Sequence, residues 1–485
     1  MLGRVSRDGV RRRRRSVMGI PPKKGKSKAE VDKAAAEDSI AQDEEINQWN
    51  SSLPRVFGVV PVPKPLATLI QIAIQVYILY YICISAYDIR TYAIREYGRV
   101  IHEFDPWFNF RATQYLADNG WYEFFHWFDY KSWYPLGRPV GTTIYPGMQI
   151  TSVTIWKILG WIKHPMSLND VCVFVPCWFG VSATLFLGLL TYEVSGSRNA
   201  AVAASGIMAI IPAHIMRSVG GGYDNEAIAV TAMCATFFFW VRSLRNKDSW
   251  VFGVLTGLAY TYMVAVWGGF VFVLNMVSAH AAALVGLGLV GIGPGYNNNL
   301  YRAFTLFFVI GTFGATRVPV VGLTPFKSLE QLGAMTVFIV FQLIEVCEVQ
   351  RRRRKLGAAQ AALVYAQVFS VAALVVGVMV SYLSSQGYFG PISARVRGLF
   401  VKHTRTGNPL VDSVAEHQPA SPDAYWQYLH SACYTAPVGL FLSVVNVNRW
   451  TQSSFITAYG VVAYFFSNKD SRSAASEHPF CEEGR

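Results

Sequence analysis

The stretch that decides the fold is residues 66–87, which read LATLIQIAIQVYILYYICISAY. It carries no charged residue, and its length matches the roughly 20 residues that a helix needs to cross a bilayer core. Alternating ten-residue strands are absent from the chain, so helices are the expected spanning form. Similar apolar runs recur at residues 171–194, 200–216, 227–241, 251–267, 270–290, 306–321, 334–349 and 361–383. The pattern predicts an all-α multi-pass membrane protein.

The composition favours the same class. Of the 485 residues, 52% are hydrophobic and only 15% are charged, which gives a mean hydropathy of +0.28. This is more apolar surface than a soluble fold of the same length would bury. The seven cysteines lack CxxC or zinc-type spacing and mostly fall within apolar runs, so they are expected to be small buried hydrophobic residues.

The net charge of +13 is concentrated near the N-terminus, where residues 11–15 and 23–28 are rich in arginine and lysine. We interpret residues 1–65 as a disordered basic cytosolic arm that fixes the orientation of the first helix. A nucleic-acid partner is not expected beside so many membrane spans. The first apolar run lies too deep and is too long for a cleavable signal peptide, so it should remain as an anchor.

Topology follows from the basic residues, because cytosolic loops collect lysine and arginine. The N-terminal arm, Arg198, residues 242–247 and residues 351–355 should therefore share the cytosolic side. This assignment puts three lumenal loops on the opposite side, at residues 88–170, 217–226 and 384–429. The apolar stretch 148–162 is short, and counting it as a span would put Arg198 on the wrong side. We expect it to be an interfacial or buried loop helix.

Those three loops carry the acids that are placed for chemistry: Glu103, Asp105, Asp224, Glu226 and Glu416. An acid-x-acid tripeptide alone is usually a solvated turn. Two such pairs on one membrane face, however, offer a hard divalent cation several oxygen ligands from separate segments. Asp105 is followed by an aromatic surround at residues 106–111. Asp224 follows three glycines at residues 220–222, where the backbone is expected to approach a ligand closely.

Four segments resemble the catalytic subunit of the eukaryotic oligosaccharyltransferase. They are HEFDPWFNFR at residues 102–111, WYPLGRP at 133–139, RSVGGGYDNE at 217–226 and SVAEHQP at 413–419. The resemblance covers roughly residues 65–466 in matching order, with Ala415 standing where the family usually has serine. It implies a transmembrane bundle of the GT-C glycosyltransferase type in residues 66–466, embedded in the endoplasmic reticulum membrane.

The resemblance also implies the reaction, which is transfer of a preassembled oligosaccharide from dolichyl pyrophosphate to the asparagine of Asn-x-Ser/Thr sequons. The implied partners are that lipid-linked donor, acceptor polypeptides, membrane lipid and other subunits of an oligosaccharyltransferase complex. Amide resonance makes the asparagine nitrogen a poor nucleophile, so two carboxylates that accept its N–H bonds would help to activate it.

Individual roles carry over by position. Asp105, Asp224 and Glu226 match the residues that hold Mn²⁺ or Mg²⁺, and Asp105 and Glu416 match those that contact the acceptor asparagine. Arg217 matches a position important for activity, where a guanidinium suits a pyrophosphate. The alternative for Arg217 is an arginine that snorkels at a helix end.

Residues 467–485 form a polar tail that departs from the family, which continues into further spans and a lumenal domain with a Trp-Trp-Asp-Tyr-Gly motif. No such motif occurs in this chain. Arg472 falls at the spacing of an arginine that binds the lipid pyrophosphate, but residues 470–477 are too polar to continue a membrane helix. We therefore expect residues 1–485 alone to bind metal weakly and to transfer no glycan.

Two other functions stay open. The chain could be a noncatalytic or regulatory fragment that folds with partner subunits, and the sequence of the transcript beyond Phe466 would separate this from the enzyme. A transporter also gathers acids inside a helix bundle. The acids of this chain, however, fall in loops on one face rather than in the middle of the apolar runs.

Overall fold

The structure is a computed structural model that describes residues 55–56, 60–61, 63–291, 293–389, 422–445 and 449–475. Glu416 and nearly all of the N-terminal arm lie outside these residues. The chain divides into two compact units, residues 1–76 and residues 77–485. In the first unit, β1 (Arg55–Val56) pairs antiparallel with β2 (Val60–Pro61), and helix α1 (Lys64–Arg90) begins shortly afterwards.

The second unit is helical apart from one short antiparallel ribbon, β3 with β4, in the part of it that the structure describes. Its elements follow α1 in the order α2 (Tyr92–Tyr97), α3 (Phe104–His126), β3 (Phe128–Asp129), β4 (Arg138–Pro139), α4 (Val140–Thr143), α5 (Gly147–Trp161), α6 (Leu168–Ser195), α7 (Arg198–Ile210), α8 (Pro212–Ile215), α9 (Asn225–Ser243), a 3-10 turn (Ser249–Val251), α10 (Phe252–Val266), α11 (Phe270–Leu289), α12 (Asn298–Thr316), α13 (Thr324–Lys327), α14 (Leu329–Arg354), α15 (Ala358–Ser385), α16 (Pro422–Leu429), α17 (Ala432–Val445) and α18 (Trp450–Ala475).

Seven helical segments among the described residues are long and apolar enough to cross a membrane, which confirms the multi-pass all-α class. They are α1, α6, α9, the 3-10 turn with α10, α11, α14 and α15. Helices α16 and α17 are long and apolar enough to cross a membrane only when they are taken together, and the chain bends by 78° between them. The predicted loop helix at residues 148–162 is present as α5, which packs against α3, α6 and α10.

Two predicted spans differ from the structure. The apolar run 200–216 is split into α7 and α8, because Pro212 has no N–H to continue the α7 hydrogen-bond ladder. Of the run 306–321, residues 306–316 lie in α12, which ends at Thr316. This helix starts earlier than the run, at Asn298, because the Asn297 side chain accepts the Leu300 N–H at 2.9 Å. Neither α7 nor α12 is among the seven segments.

The described basic segments lie at one end of the bundle, which we call the basic end. Helix α6 has 28 residues and is about 42 Å long. Near its C-terminus, Glu193 pairs with Arg242 at 3.5 Å and with Arg245 at 3.2 Å. Near its N-terminus, the Val173 carbonyl accepts the Gly221 N–H at 3.0 Å. The 217–226 loop therefore lies about a bilayer thickness away from these arginines.

The four arginines that end α14 belong to the basic end as well. Asn299 donates to the Ser243 carbonyl at 2.8 Å, and the Tyr296 hydroxyl donates to Glu345 on α14. The relative positions that the charge pattern predicts are therefore present, with residues 242–247 and 351–355 opposite residues 217–226. Which side of a membrane each end faces stays a prediction.

Small residues allow a close contact between helices α10 and α12. A Cβ added to Gly253 on α10 would lie 2.8 Å from the Ala303 Cα on α12, so the two backbones touch at this point. Close approach through glycine is typical of helix pairs in membranes, where dispersion replaces the hydrophobic effect as the attraction. Beside this contact, Tyr260, Phe304 and Phe307 are fully buried. Helices α9, α10 and α12 pack together, and the N-terminus of α9 carries Asp224 and Glu226.

Candidate active site

The structure brings the first two acid-bearing segments together. The His102 N–H donates to the Gly221 carbonyl at 3.0 Å, and the Asn109 amide donates to the Tyr223 carbonyl at 3.3 Å. Asp105 lies between these two attachment points, and Asp224 follows the second. The 102–109 segment is thus fixed along the 217–226 loop at two places, although more than a hundred residues separate them in the chain.

Gly221 makes this contact between the two segments possible. Its φ is +88°, and an added Cβ would lie 2.6 Å from the His102 ring carbon Cδ2. Any L side chain would be strained there and would collide with the 100–102 segment. The glycine at this position therefore admits another part of the chain, and the close approach of a ligand to the 220–222 backbone stays a prediction.

Asp224 and Glu226 lie at the N-terminus of α9. Asp224 is the N-cap residue, and its Oδ1 accepts the Asn225 N–H at 2.7 Å. Glu226 lies in the first turn, and its Oε2 is 3.0 Å from the Arg217 Nε. The positive end of the helix dipole attracts negatively charged groups at these positions. Three of the predicted site residues, Arg217, Asp224 and Glu226, are therefore neighbours on one loop and helix end.

Asp105, like Glu226, lies in the first turn of a helix, in this case α3, and its side chain is exposed. The preceding Glu103 has φ +66° with ψ 176°, a combination that L residues rarely adopt. Non-glycine residues in such regions cost about 1–3 kcal/mol and concentrate at functional sites. The strained backbone at Glu103 thus marks the entry to the segment that carries Asp105.

The described residues contain no group of three or more His, Cys, Asp or Glu side chains assembled to hold a metal ion. The metal assignment of Asp105, Asp224 and Glu226 therefore stays a prediction. Their donor chemistry fits a hard divalent cation, since all three offer carboxylate oxygens. Asn225, between two of them, also has a buried Oδ1 with no hydrogen-bond partner in the protein. An orphaned oxygen at this point suits a cation or an ordered water.

A cavity of about 280 Å³ opens beside Glu226. Apart from that carboxylate its lining is largely apolar and comes from α9, α10 and α11, with the residues Val230, Met233, Met263, Trp267 and Phe272 among them. A charged group at one end and hydrocarbon along the walls suit an amphiphilic ligand.

Tyr223 is a site residue that the sequence reasoning missed. Its side chain is fully buried, and its hydroxyl lies 2.9 Å from Thr113 Oγ1 on α3 and donates to Ser152 Oγ on α5 at 2.7 Å. Tyr223 therefore connects the acid loop to two helices at once. The available signal was weak, since it consisted only of one aromatic residue within an otherwise polar, glycine-rich loop.

The 128–139 hairpin is attached to α3 through Asp129. Its carboxylate accepts both Arg111 Nε and Nη2 at 2.9 Å, Ser132 Oγ at 2.7 Å and the Lys131 N–H at 3.0 Å. Burial of Asp129 disfavours its charged form, but these hydrogen bonds and the Arg111 charge outweigh burial and lower the pKa of the carboxyl to about 2. Asp129 therefore stays ionised and fixes the hairpin that carries the WYPLGRP segment.

The remaining predicted residues are not placed at the site by the structure. Glu416 lies outside the described residues. Arg472 lies within α18, whose helical conformation continues through Ala475, beyond the point at which the polar tail was expected to begin.

Comparison with known proteins identifies relatives of the whole described bundle. Residues 73–474 match the family model described as oligosaccharyl transferase STT3, N-terminal. The subunit STT3 of dolichyl-diphosphooligosaccharide–protein glycosyltransferase from Saccharomyces cerevisiae is 35% identical over 390 residues, which are 79% of this chain and 52% of that protein. The Schizosaccharomyces pombe subunit is 35% identical over 401 residues, 82% of this chain and 51% of that protein.

The chain thus spans about half the length of these curated relatives. Among solved structures, the fold is similar to the oligosaccharyltransferase AglB from the archaeon Archaeoglobus fulgidus in complex with an inhibitory peptide and a dolichol-phosphate. The TM-score is 0.62 at 16% identity, with 83% of this chain and 49% of that chain covered. The apo form of that archaeal enzyme gives a TM-score of 0.60 at 18% identity, with 83% of this chain and 50% of that chain covered.

Proposed function

Because the chain belongs to the oligosaccharyl transferase STT3 family, we propose that it supplies the catalytic bundle of an oligosaccharyltransferase. The reaction is transfer of a preassembled oligosaccharide from dolichyl pyrophosphate to the asparagine of an Asn-x-Ser/Thr sequon. The end of the bundle that carries Asp105 and the 217–226 loop faces the lumen of the endoplasmic reticulum, and the basic end faces the cytosol. Other subunits of an oligosaccharyltransferase complex are its partners.

One observation carries this proposal, namely the attachment of the 102–109 segment to the 217–226 loop. Hydrogen bonds from His102 and Asn109 hold Asp105 beside the loop that presents Arg217, Asp224 and Glu226. Acids and a guanidinium at one end of a hydrophobic bundle suit a substrate with a charged head and a lipid tail. A transporter would instead be expected to place its ionisable residues within the bundle interior along a transport path.

The acceptor amide is activated by carboxylates in this proposal. Asp105 and Glu416 accept the two N–H bonds of the asparagine side chain, which weakens the resonance that ties up the nitrogen lone pair. The bond from that nitrogen to the anomeric carbon forms as the bond from the anomeric carbon to the pyrophosphate oxygen breaks. The proton that the amide loses passes to a carboxylate, and the pyrophosphate leaves with the bonding electrons.

The leaving group is charged, and two features of the site suit it. Asp105, Asp224 and Glu226 would hold Mn²⁺ or Mg²⁺, which supplies Lewis-acid stabilisation of the pyrophosphate. Arg217 binds a phosphate oxygen through its planar guanidinium. The ion pair with Glu226 orients the Arg217 side chain for this contact. The cavity beside Glu226 accommodates part of the isoprenoid chain. Arg472 is a further candidate contact to the lipid pyrophosphate.

Depletion and rescue test the proposal. Microsomes from cells depleted of this gene product should lose transfer to a labelled sequon peptide, and the wild-type gene should restore it. The same gene with Arg217→Gln should restore protein level and complex assembly but not transfer. Transfer that persists after depletion, with no other family member present, would refute the proposed enzyme.

A further inference from the structure

Arg90, the last residue of α1, is a fully buried cation that the proposed reaction does not use. Its Nε donates to Ser218 Oγ at 2.8 Å, and its Nη1 donates to the carbonyls of Ala86 and Ala209 at 3.0 Å each. Its Nη2 lies 2.7 Å from His214 Nδ1. A guanidinium can only donate, so His214 accepts this bond through an unprotonated Nδ1.

Among the residues that the structure describes, no carboxylate lies within ion-pair distance of Arg90. The charge is stabilised by carbonyl dipoles, a hydroxyl and an imidazole. Taking an unpaired charge out of water costs several kcal/mol, and such residues in membrane proteins usually mark a function. Snorkelling does not account for Arg90, because its head group is inside the protein rather than in water.

Arg90 contacts the acid loop at two points. Besides the side-chain bond to Ser218, the backbone carbonyl of Arg90 accepts the Gly220 N–H at 2.8 Å. Ser218 directly follows Arg217, and Gly220 precedes Gly221, which bonds to the Asp105 segment. Arg90 therefore fixes the part of the loop between the guanidinium and the attachment point of Asp105.

The surroundings are shaped for an arginine at this place. A Cβ on Gly180 of α6 would lie 2.7 Å from Arg90 Cδ, so the glycine provides the space that the side chain fills. The Ala209 carbonyl belongs to the last turn of α7, where helix carbonyls have no partner within the helix, and Arg90 satisfies it. Four acceptors in different directions match the rigid fork of arginine but not the single ammonium of lysine.

We propose that Arg90 is a positioning residue, which holds the 217–226 loop so that Arg217 and Asp224 keep their places relative to Asp105. The inference rests on the proposed glycosyl transfer for its effect on rate, but the effect on the loop is independent of any activity. Loosening the loop by about 1 Å is enough to lower the rate roughly 100-fold, because reacting groups must remain aligned.

The test uses the purified native complex with Arg90→Lys, which keeps the charge but cannot make all four hydrogen bonds. Ser218→Ala removes the Nε acceptor, together with the bond that the Ser218 hydroxyl donates to the His214 carbonyl at 2.6 Å, and is the second variant if Arg90→Lys fails to accumulate. The matched control is Arg95→Lys, because Arg95 lies just beyond α1, is exposed and pairs with Asp88. Hydrogen exchange of the peptide that contains the Gly220 and Gly221 amides reports loop order, and peptide transfer reports kcat and KM.

Arg90→Lys and Ser218→Ala should each raise the amide exchange rate at residues 220–221 by roughly tenfold or more. They should lower kcat by about 10- to 100-fold while KM for donor and peptide stays within about twofold. Arg95→Lys should match the wild type in each measurement. Unchanged exchange in both variants would overturn the proposal, and so would raised exchange with a wild-type kcat. If the wild-type complex transfers no glycan, the proposed function fails while the exchange comparison still decides the role of Arg90.

Discussion

Replacing Asp129 with asparagine should open the 128–139 hairpin. The Asp129 side chain is only 3% exposed, and its Oδ2 accepts from Arg111 Nε at 2.9 Å and from Ser132 Oγ at 2.7 Å. In Asp129→Asn, an amide NH₂ takes the place of one oxygen. If Oδ1 keeps its own bonds, the new NH₂ faces the Arg111 Nε–H, a donor, and that hydrogen bond is lost, whereas the Ser132 hydroxyl rotates and accepts from the amide.

The size of the effect follows from the bond to Arg111. A hydrogen bond to a charged group contributes about 1.5–3 kcal/mol. Arg111 is 44% exposed, so water compensates part of this bond, and we expect a net loss of about 1–2 kcal/mol. The opened fraction of the hairpin should then rise roughly 5- to 30-fold.

Limited proteolysis measures this directly, because Lys131 is a trypsin site within the hairpin, whereas the bond after Arg138 leads into Pro139 and is not cut. When opening is fast relative to cleavage, the cleavage rate follows the opened fraction. Solubilised Asp129→Asn complex should be cut after Lys131 roughly 5- to 30-fold faster than the wild type. The matched control is Asp118→Asn, an exposed acid on α3. Equal cleavage of the two variants would refute the role assigned to the Asp129 carboxylate.

Three further outcomes are expected. The pKa of Asp129 is lowered to about 2. The contribution of its carboxylate to hairpin stability should therefore be constant from neutral pH to about pH 5 and be lost only as the pH falls from about 4 to 2. Hydrogen exchange of the hairpin across this range checks the direction of the effect. Gly253→Ala should destabilise the α10–α12 contact by about 1–3 kcal/mol, whereas Gly286→Ala, whose added Cβ meets nothing within 4 Å, should not; thermal stability of the purified complex compares them. Asp105→Asn and Asp224→Asn should each weaken Mn²⁺ binding by at least about tenfold, since each removes a charged ligand; electron paramagnetic resonance of free Mn²⁺ measures this, and unchanged affinity in both variants would end the metal assignment.

Hydropathy predicted the well-separated spans because a long uncharged run has few alternatives in a membrane. Residues 66–87 lie within α1, and residues 270–290 match α11 almost to the residue. The prediction of a single helix over residues 200–216 was wrong, because a hydropathy pattern contains no information about the N–H that Pro212 lacks. Hydropathy also did not predict the start of α12, because the polar N-cap residue that sets it, Asn297, lies outside the apolar run.

The candidate site shows the same division between local and long-range information. Arg217, Asp224 and Glu226 were found because they lie within one short segment whose pattern is recognisable in the sequence. Arg90 and Tyr223 were missed because their partners are far away in the chain, with Arg90 and Ser218 separated by 128 positions. A lone arginine at the end of an apolar run looks the same whether it reaches water or, as here, a buried loop.

Peptide transfer by an Asp105→Asn variant tests the central claim most directly, which is that Asp105 and the 217–226 loop together form a glycosyl-transfer site. Microsomes that carry the variant gene as the only family member would be given a fluorescent Asn-x-Thr peptide, with Asp118→Asn on the same helix as control. We expect Asp105→Asn to reduce transfer at least about 100-fold at normal protein level, because the nucleophile loses a carboxylate that aligns it. Asp118→Asn should transfer at the wild-type rate. Wild-type transfer by Asp105→Asn would contradict the account.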